Sequence, residues 1–201
     1  MRSVLRLSPV RLALAALALV CADSAYHIVG DSFIPGGPLD ETAHLLTALL
    51  VLWALGPRVR PRLFAAALIT SVAIDLDHIP RLLGDDFFTK GTSRPYTHSL
   101  LTILIVLGVA LAWRRRRDVM LGIAVGLAIH FWRDLSESTA GVSLLWPISD
   151  HSFELSHASY LLVMAAVVVV ASGRCWARER RGAAHAQSTP RPADWAGSRA
   201  E

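Results

Sequence analysis

The chain has 201 residues, of which 53 % are hydrophobic and only 18 % charged, and its mean hydropathy is +0.44. That balance excludes a disordered chain and argues against an ordinary soluble domain. The net charge of +4 and a pI near 9.7 would suit a nucleic-acid partner, but the placement of the charges gives another reason for them, and no nucleic-acid partner is expected.

Six apolar segments, bounded by charges or turn residues, follow along the chain: Val10–Val29, Thr42–Leu55, Leu63–Ile79, His98–Trp113, Val119–Asp134 and His157–Ser172. Several are short for a perpendicular crossing, which takes roughly 20 residues. Six of them in so small a chain, with little polar sequence between, read as an all-α, polytopic membrane helix bundle of about six transmembrane helices. The first segment follows Arg2 and Arg6, and Val20-Cys21-Ala22 resembles a signal-peptidase site. Its apolar character continues past Asp23 to Val29, so an uncleaved anchor is the favoured reading. Asp23, Asp31, Asp40 and Glu41 read as solvated or capping residues, with Asp40 or Glu41 capping the second helix. The transmembrane domain is expected over residues 1–173, and residues 174–201 as a disordered basic cytoplasmic tail. Cys21 and Cys175 fall at different levels, so no disulfide is expected.

Alternating crossings from a cytoplasmic N-terminus put sixteen of the twenty basic residues and four of the sixteen acids on the inner side. Arg58, Arg60 and Arg62 form one inner turn and Arg114 to Arg117 another. Both termini are then cytoplasmic, and the arginines act as topology signals that also meet anionic lipid.

The remaining ionisable groups gather at the outer ends. His44 opens the second segment, Asp75, Asp77 and His78 close the third, His98 opens the fourth, and His130 and Asp134 close the fifth. Charged groups in such places are costly and usually partnered or functional. His130 and Asp134, at i, i+4, share a helix face, as do Asp75 and His78 at i, i+3. Asp77 would point away in an ideal helix, but Pro80 should push Ile79 out of helical geometry and let Asp77 swing inward. Carboxylates at helix C-termini and neutral imidazoles at N-termini are both relieved by a cation. Mixed imidazole and carboxylate ligation suits zinc, iron or manganese. Seven such groups exceed the needs of one tetrahedral zinc, which leaves room for orienting groups, a general base or a second ion. A faint repeat pairs the two hairpins: His44 to Asp75 is 31 residues and His98 to His130 is 32. Taken singly, His27, His151 and His157 read as helix-end or interfacial residues.

Several of these elements resemble the YdjM-like family of membrane-bound metal-dependent hydrolases. They are Asp75-Leu76-Asp77-His78-Ile79-Pro80, Arg94-Pro95-Tyr96-Thr97-His98-Ser99-Leu100, His130-Phe131-Trp132-Arg133-Asp134, the Gly141 to Pro147 stretch, and His44 with its apolar helix. The resemblance covers residues 40–147 and leaves out the first helix and the tail. Pro95 stands where the family commonly has Gly after the Arg. The resemblance implies a metal-dependent hydrolase of the bacterial cytoplasmic (inner) membrane, with phospholipase-like action suggested.

The leading expectation is a hydrolase working at the outer face on a phospholipid or lipid-linked phosphoester. It would hold one or two divalent ions, zinc first and manganese or iron as alternatives, on His44, Asp75, His78, His98, His130 and Asp134. Asp77 would be general base or a further ligand, and Arg94 would take phosphate fork-on. Membrane lipid is then a partner as well as the source of substrate. Two rival readings are a proton- or metal-linked transporter and a non-catalytic protein with a structural metal.

Overall fold

The computed structural model describes residues 7–30, 32, 34–56, 59–137 and 140–188. The described residues are helical, with no strand beyond one isolated antiparallel bridge, Val142 with Phe153. Helix α1 spans Pro9–Val29, α2 Gly36–Leu55 and α3 Pro61–Ala73. A 3-10 turn, Ile74–His78, continues α3 into the short α4, Ile79–Leu82. Then come α5 (Leu100–Ala112), a 3-10 turn at Arg114–Arg116, α6 (Arg117–Glu137) and α7 (His157–Ser188). Five stretches are long and apolar enough to cross a membrane: α1, α2, α3 through α4, the Arg114–Glu137 stretch, and α7. Helix α5 has only 13 residues. His98 and Ser99 lie ahead of it, Ser99 in extended backbone at the N-cap, so the fourth segment is shorter than the sequence suggests.

Local chemistry sets these ends. Ser8 caps α1 by accepting from the Arg11 amide at 3.3 Å, and Pro9 and Pro61 occupy first-turn positions where no donor is lost. Gly30 and Gly56, at φ 72° and 77°, stop α1 and α2 in backbone that other residues rarely adopt. Helix α2 begins at Gly36, so Asp40 and Glu41 lie inside it and do not cap it. Ile79 keeps right-handed helical backbone (φ −56°, ψ −44°), against the expectation that Pro80 would expel it. The irregularity falls one turn earlier, as the tighter 3-10 winding of Ile74–His78. Helix α7 runs on to Ser188, so residues 174–188 do not form the loose tail expected. Ala, Arg and Glu between Arg174 and Ser188 are good helix formers, and no proline interrupts them. Residues 189–201 lie outside the described residues, as do Arg2, Arg6, Asp31 and Arg58.

Helices α3 and α6 make the closest packing. A Cβ on Gly122 would lie 2.5 Å from the Leu63 carbonyl oxygen, and one on Gly126 would lie 2.5 Å from that of Ala67. One turn further, His130 Nδ1 donates to the Ser71 carbonyl at 2.9 Å. The same step of four on both helices, in the same sense, makes them parallel. The chain therefore returns across the bundle between them, through α5. Leu50, Leu52 and Trp53 of α2 form the core with Leu12 and Leu19 of α1, Phe64 of α3 and Tyr160 and Met164 of α7. Outward, Leu14, Leu17, Ile69, Leu104, Leu111, Leu162 and Val169 stay exposed, an apolar coat that fits lipid rather than water. The bundle is polar at both ends. At one, Arg60 pairs with Asp118 at 2.9 Å beside Arg114 to Arg117, and Arg174 donates to the Leu55 carbonyl at 3.0 Å. The histidines and carboxylates collect at the other.

A candidate metal centre

The 3-10 turn after α3 puts Asp75, Asp77 and His78 side by side, and α6 brings His130 and Asp134 against them. His98 enters from the turn before α5, where its amide donates to the Pro95 carbonyl at 2.8 Å. Four atoms converge: His98 Nε2, His130 Nε2, Asp75 Oδ1 and Asp134 Oδ2. The imidazole nitrogens are 3.2 Å apart. His98 Nε2 is 3.3 Å from Asp75 Oδ1 and 3.6 Å from Asp134 Oδ2. His130 Nε2 is 3.4 Å from Asp75 Oδ1 and 3.1 Å from Asp134 Oδ2.

Five of the six distances among these four atoms thus lie between 3.1 and 3.6 Å. Bonds of about 2.0–2.2 Å from a tetrahedral metal to nitrogen and oxygen imply edges of about 3.3–3.6 Å. Asp75 Oδ1 is also buried without a hydrogen-bond partner, which is costly for a carboxylate oxygen unless a cation answers it, whereas Asp134 Oδ2 already faces the Arg94 guanidinium at 3.2 Å. The donor set therefore fits a divalent metal on geometry and on polar satisfaction together.

Around this cage each sequence candidate has a place. His44 stacks on His130 at 3.9 Å between ring centroids, with Nε2 3.3 Å from Asp134 Oδ1. His78 Nδ1 lies 3.4 Å from Asp75 Oδ1 and 2.9 Å from Asp77 Oδ1. Asp77 faces inward, as expected. It accepts from the Thr97 hydroxyl, and its Oδ2 lies 3.3 Å from His98 Nδ1, the nitrogen turned away from the cage. That is the position of a carboxylate that fixes a ligating imidazole's tautomer and orientation, as the Ser71 carbonyl does for His130. Arg94 sits at the rim with one guanidinium nitrogen 3.2 Å from Asp134 Oδ2 and its Nε buried without a partner. Burial disfavours the charged guanidinium, but the Asp134, Asp75 and Asp40 carboxylates outweigh it and hold its pKa above the ordinary arginine value. Burial likewise pulls the His98 imidazole down, yet hydrogen bonding to Asp75 and Asp77 and the Asp134 charge leave it raised.

Sequence reasoning missed four residues here. Arg133 is fully buried and pairs with Asp23 of α1 at 2.9 Å and Asp40 of α2 at 3.1 Å, next to Asp134 in the chain. Asp23 and Asp40 are thus ion-paired, not solvated. Glu41 faces Asp75, its Oε2 buried and without a partner. The signal for Asp23 and Arg133 was present: opposite charges in two apolar segments at the same membrane level call for each other. Glu41 carried no such signal, since its approach to Asp75 depends on how α2 packs on α3.

Two clefts reach the cage. A polar one of about 590 Å³ is lined by His78, Arg81, Ser93, Arg94, Asp134 and Glu137. An apolar one of about 840 Å³ is lined by Leu45, Ile69, Val72, Leu76 and Ile79 as well as Glu41 and Asp75. Gly37 and Leu82 border both. The two loops between α4 and α5 and between α6 and α7 cover the polar cleft together. Ser93 donates to the Gly141 carbonyl at 3.0 Å, and Tyr96 stacks on Trp146 at 4.3 Å.

No curated protein and no solved structure matches the chain. The model of one family, described as YdjM inner membrane protein, matches residues 39–190, which takes in every residue of the cage and continues through α7. With Asp75, His98, His130 and Asp134 all inside that match, the chain belongs to the YdjM inner membrane protein family.

Proposed function

We propose that this protein crosses the bacterial cytoplasmic membrane six times with both termini inside, and hydrolyses a phospholipid or lipid-linked phosphoester at the outer face with a divalent metal, zinc before manganese or iron. The convergence of His98, His130, Asp75 and Asp134, within 3.1–3.6 Å along five of their six separations, carries this reading. The parallel run of α3 and α6, with a return through α5, supports the crossing count, and the arginine-rich end supports the orientation.

The two clefts favour an amphiphile. An acyl or isoprenoid chain fits the apolar cleft, whose walls include the exposed Ile69 and Leu76, and a charged head fits the polar one. A divalent ion supplies Lewis acidity at such a site. Arg94 stands where a phosphate oxygen would meet its guanidinium. Glu41, unpartnered at Oε2 beside Asp75, is the carboxylate placed to take a proton. Asp77 is committed to His98 and serves by orienting it.

The test is phosphoester hydrolysis by detergent-purified protein in mixed micelles of phosphatidylglycerol and phosphatidylethanolamine with added zinc or manganese. Metal-dependent release of a phosphorylated or dephosphorylated product, abolished by Asp75→Ala and by His130→Ala, is expected. Full activity in both variants would overturn the assignment.

A further inference from the structure

A second group of metal-ligating side chains lies outside the cage. Glu137 ends α6, His27 sits in the last turn of α1, and His157 opens α7. The Glu137 side chain is only 5 % exposed, and its two oxygens are divided between two imidazoles. Oε1 lies 2.5 Å from His157 Nδ1 and Oε2 lies 3.5 Å from His27 Nε2. The rings meet edge to face, at 5.2 Å and 86°, so they do not stack. One donor atom from each of the three residues lies within 4.8 Å of the others. A carboxylate has acceptor capacity for both imidazoles, and here two from different helices converge on a single buried one. Two imidazoles and a carboxylate are a donor set for zinc and its neighbours. The His27 and His157 side chains are 53 % and 38 % exposed, which leaves an open side for water to complete the coordination.

We propose that His27, Glu137 and His157 form a second divalent-metal site that staples α1 to the α6–α7 corner. His27 lies outside residues 39–190, so the site joins a helix beyond the family match to the helix that carries His130 and Asp134. It stands whether or not the cage is catalytic.

The experiment is zinc content of the full-length, detergent-purified chain after exhaustive dialysis, by elemental mass spectrometry. His27→Ala and His157→Ala should each lose about one equivalent per chain relative to wild type. The Asp75→Ala/His130→Ala variant should keep that equivalent. Replaced by cobalt, it should give visible ligand-field bands that disappear when His27→Ala is added. His27→Gln keeps a hydrogen bond to Glu137 while removing the imidazole, and should also lose the equivalent. Wild-type zinc content in His27→Ala and His157→Ala, or in His27→Gln, would overturn the proposal. Loss of cage metal alone leaves the His27-dependent equivalent in place, so the failures of the two sites are distinguishable.

Discussion

Replacing Gly126 by alanine tests whether the α3–α6 contact sets the metal geometry. The added Cβ would stand 2.5 Å from the Ala67 carbonyl oxygen and 3.0 Å from Thr70 Cβ. A carbon–oxygen contact needs about 3.3 Å, so the helices must part by roughly 0.8 Å. Overpacking of this kind costs about 1–3 kcal/mol. Alanine returns about 1 kcal/mol of helix propensity, so the net destabilisation is about 0–2 kcal/mol. The larger effect falls on the site. His130 lies one turn beyond Gly126, and its 2.9 Å bond to the Ser71 carbonyl spans the same seam. So does the 3.4 Å edge from His130 Nε2 to Asp75 Oδ1. Losing the orienting bond should weaken metal binding by about 10–100-fold. Gly108→Ala on α5 is the control, because a Cβ there meets nothing within 4 Å. Thermal unfolding in detergent and metal titration by equilibrium dialysis read both effects. Gly126→Ala with affinity and melting temperature no lower than those of Gly108→Ala would refute the reasoning.

Arg133→Met should destabilise by about 3–5 kcal/mol, because it strands the Asp23 and Asp40 carboxylates without their counter-charge; chemical denaturation reads this, and Arg133→Met/Asp23→Asn should recover part of the loss. Asp77→Asn should retain metal at about 10–100-fold lower affinity, since it disturbs the orientation of His98 and not the cage itself; equilibrium dialysis against Asp75→Ala separates the two roles. Metal affinity should fall as pH drops through the raised pKa of His98, and binding near that pKa should release protons, because the ion takes the neutral imidazole beside Asp75, Asp77 and Asp134; titration in buffers of different ionisation enthalpy counts them. Arg94→Ala should leave metal content near wild type while lowering phosphoester hydrolysis, measured as a kcat and KM split on the same micelles.

The sequence made the site legible because its local spacings are helical: His130 with Asp134, and Asp75 with His78, share faces whatever the tertiary packing. Pro80 pointed to the irregular turn, although the distortion settles before Ile79 and not at it. Which carboxylate binds metal and which orients a ligand was not legible. Asp75 faces His98 Nε2 and His130 while Asp77 faces His98 Nδ1 and Thr97, and the packing of the α5 approach and α6 on α3 decides that. The division of labour at Asp23, Asp40 and Arg133 was hidden for a similar reason. The Asp23–Arg133 pair spans 110 residues and three helices meet there, so its only signal is opposite charge in two apolar segments and no local period shows which groups share the guanidinium. Glu137 with His27 and His157 is the same case at the rim. Helix α7 outran its expected end because charge and apolarity set the membrane boundary, while backbone propensity sets the helix boundary.

Bound metal in detergent-purified protein, measured by elemental mass spectrometry for wild type, His130→Ala and Asp75→Ala, tests the cage most directly. The two ligand atoms lie 3.4 Å apart, so each variant should lose the same near-stoichiometric zinc, manganese or iron while remaining folded. Metal retained at wild-type level in both folded variants, or no metal above background in wild type after reconstitution with divalent ions, would contradict it.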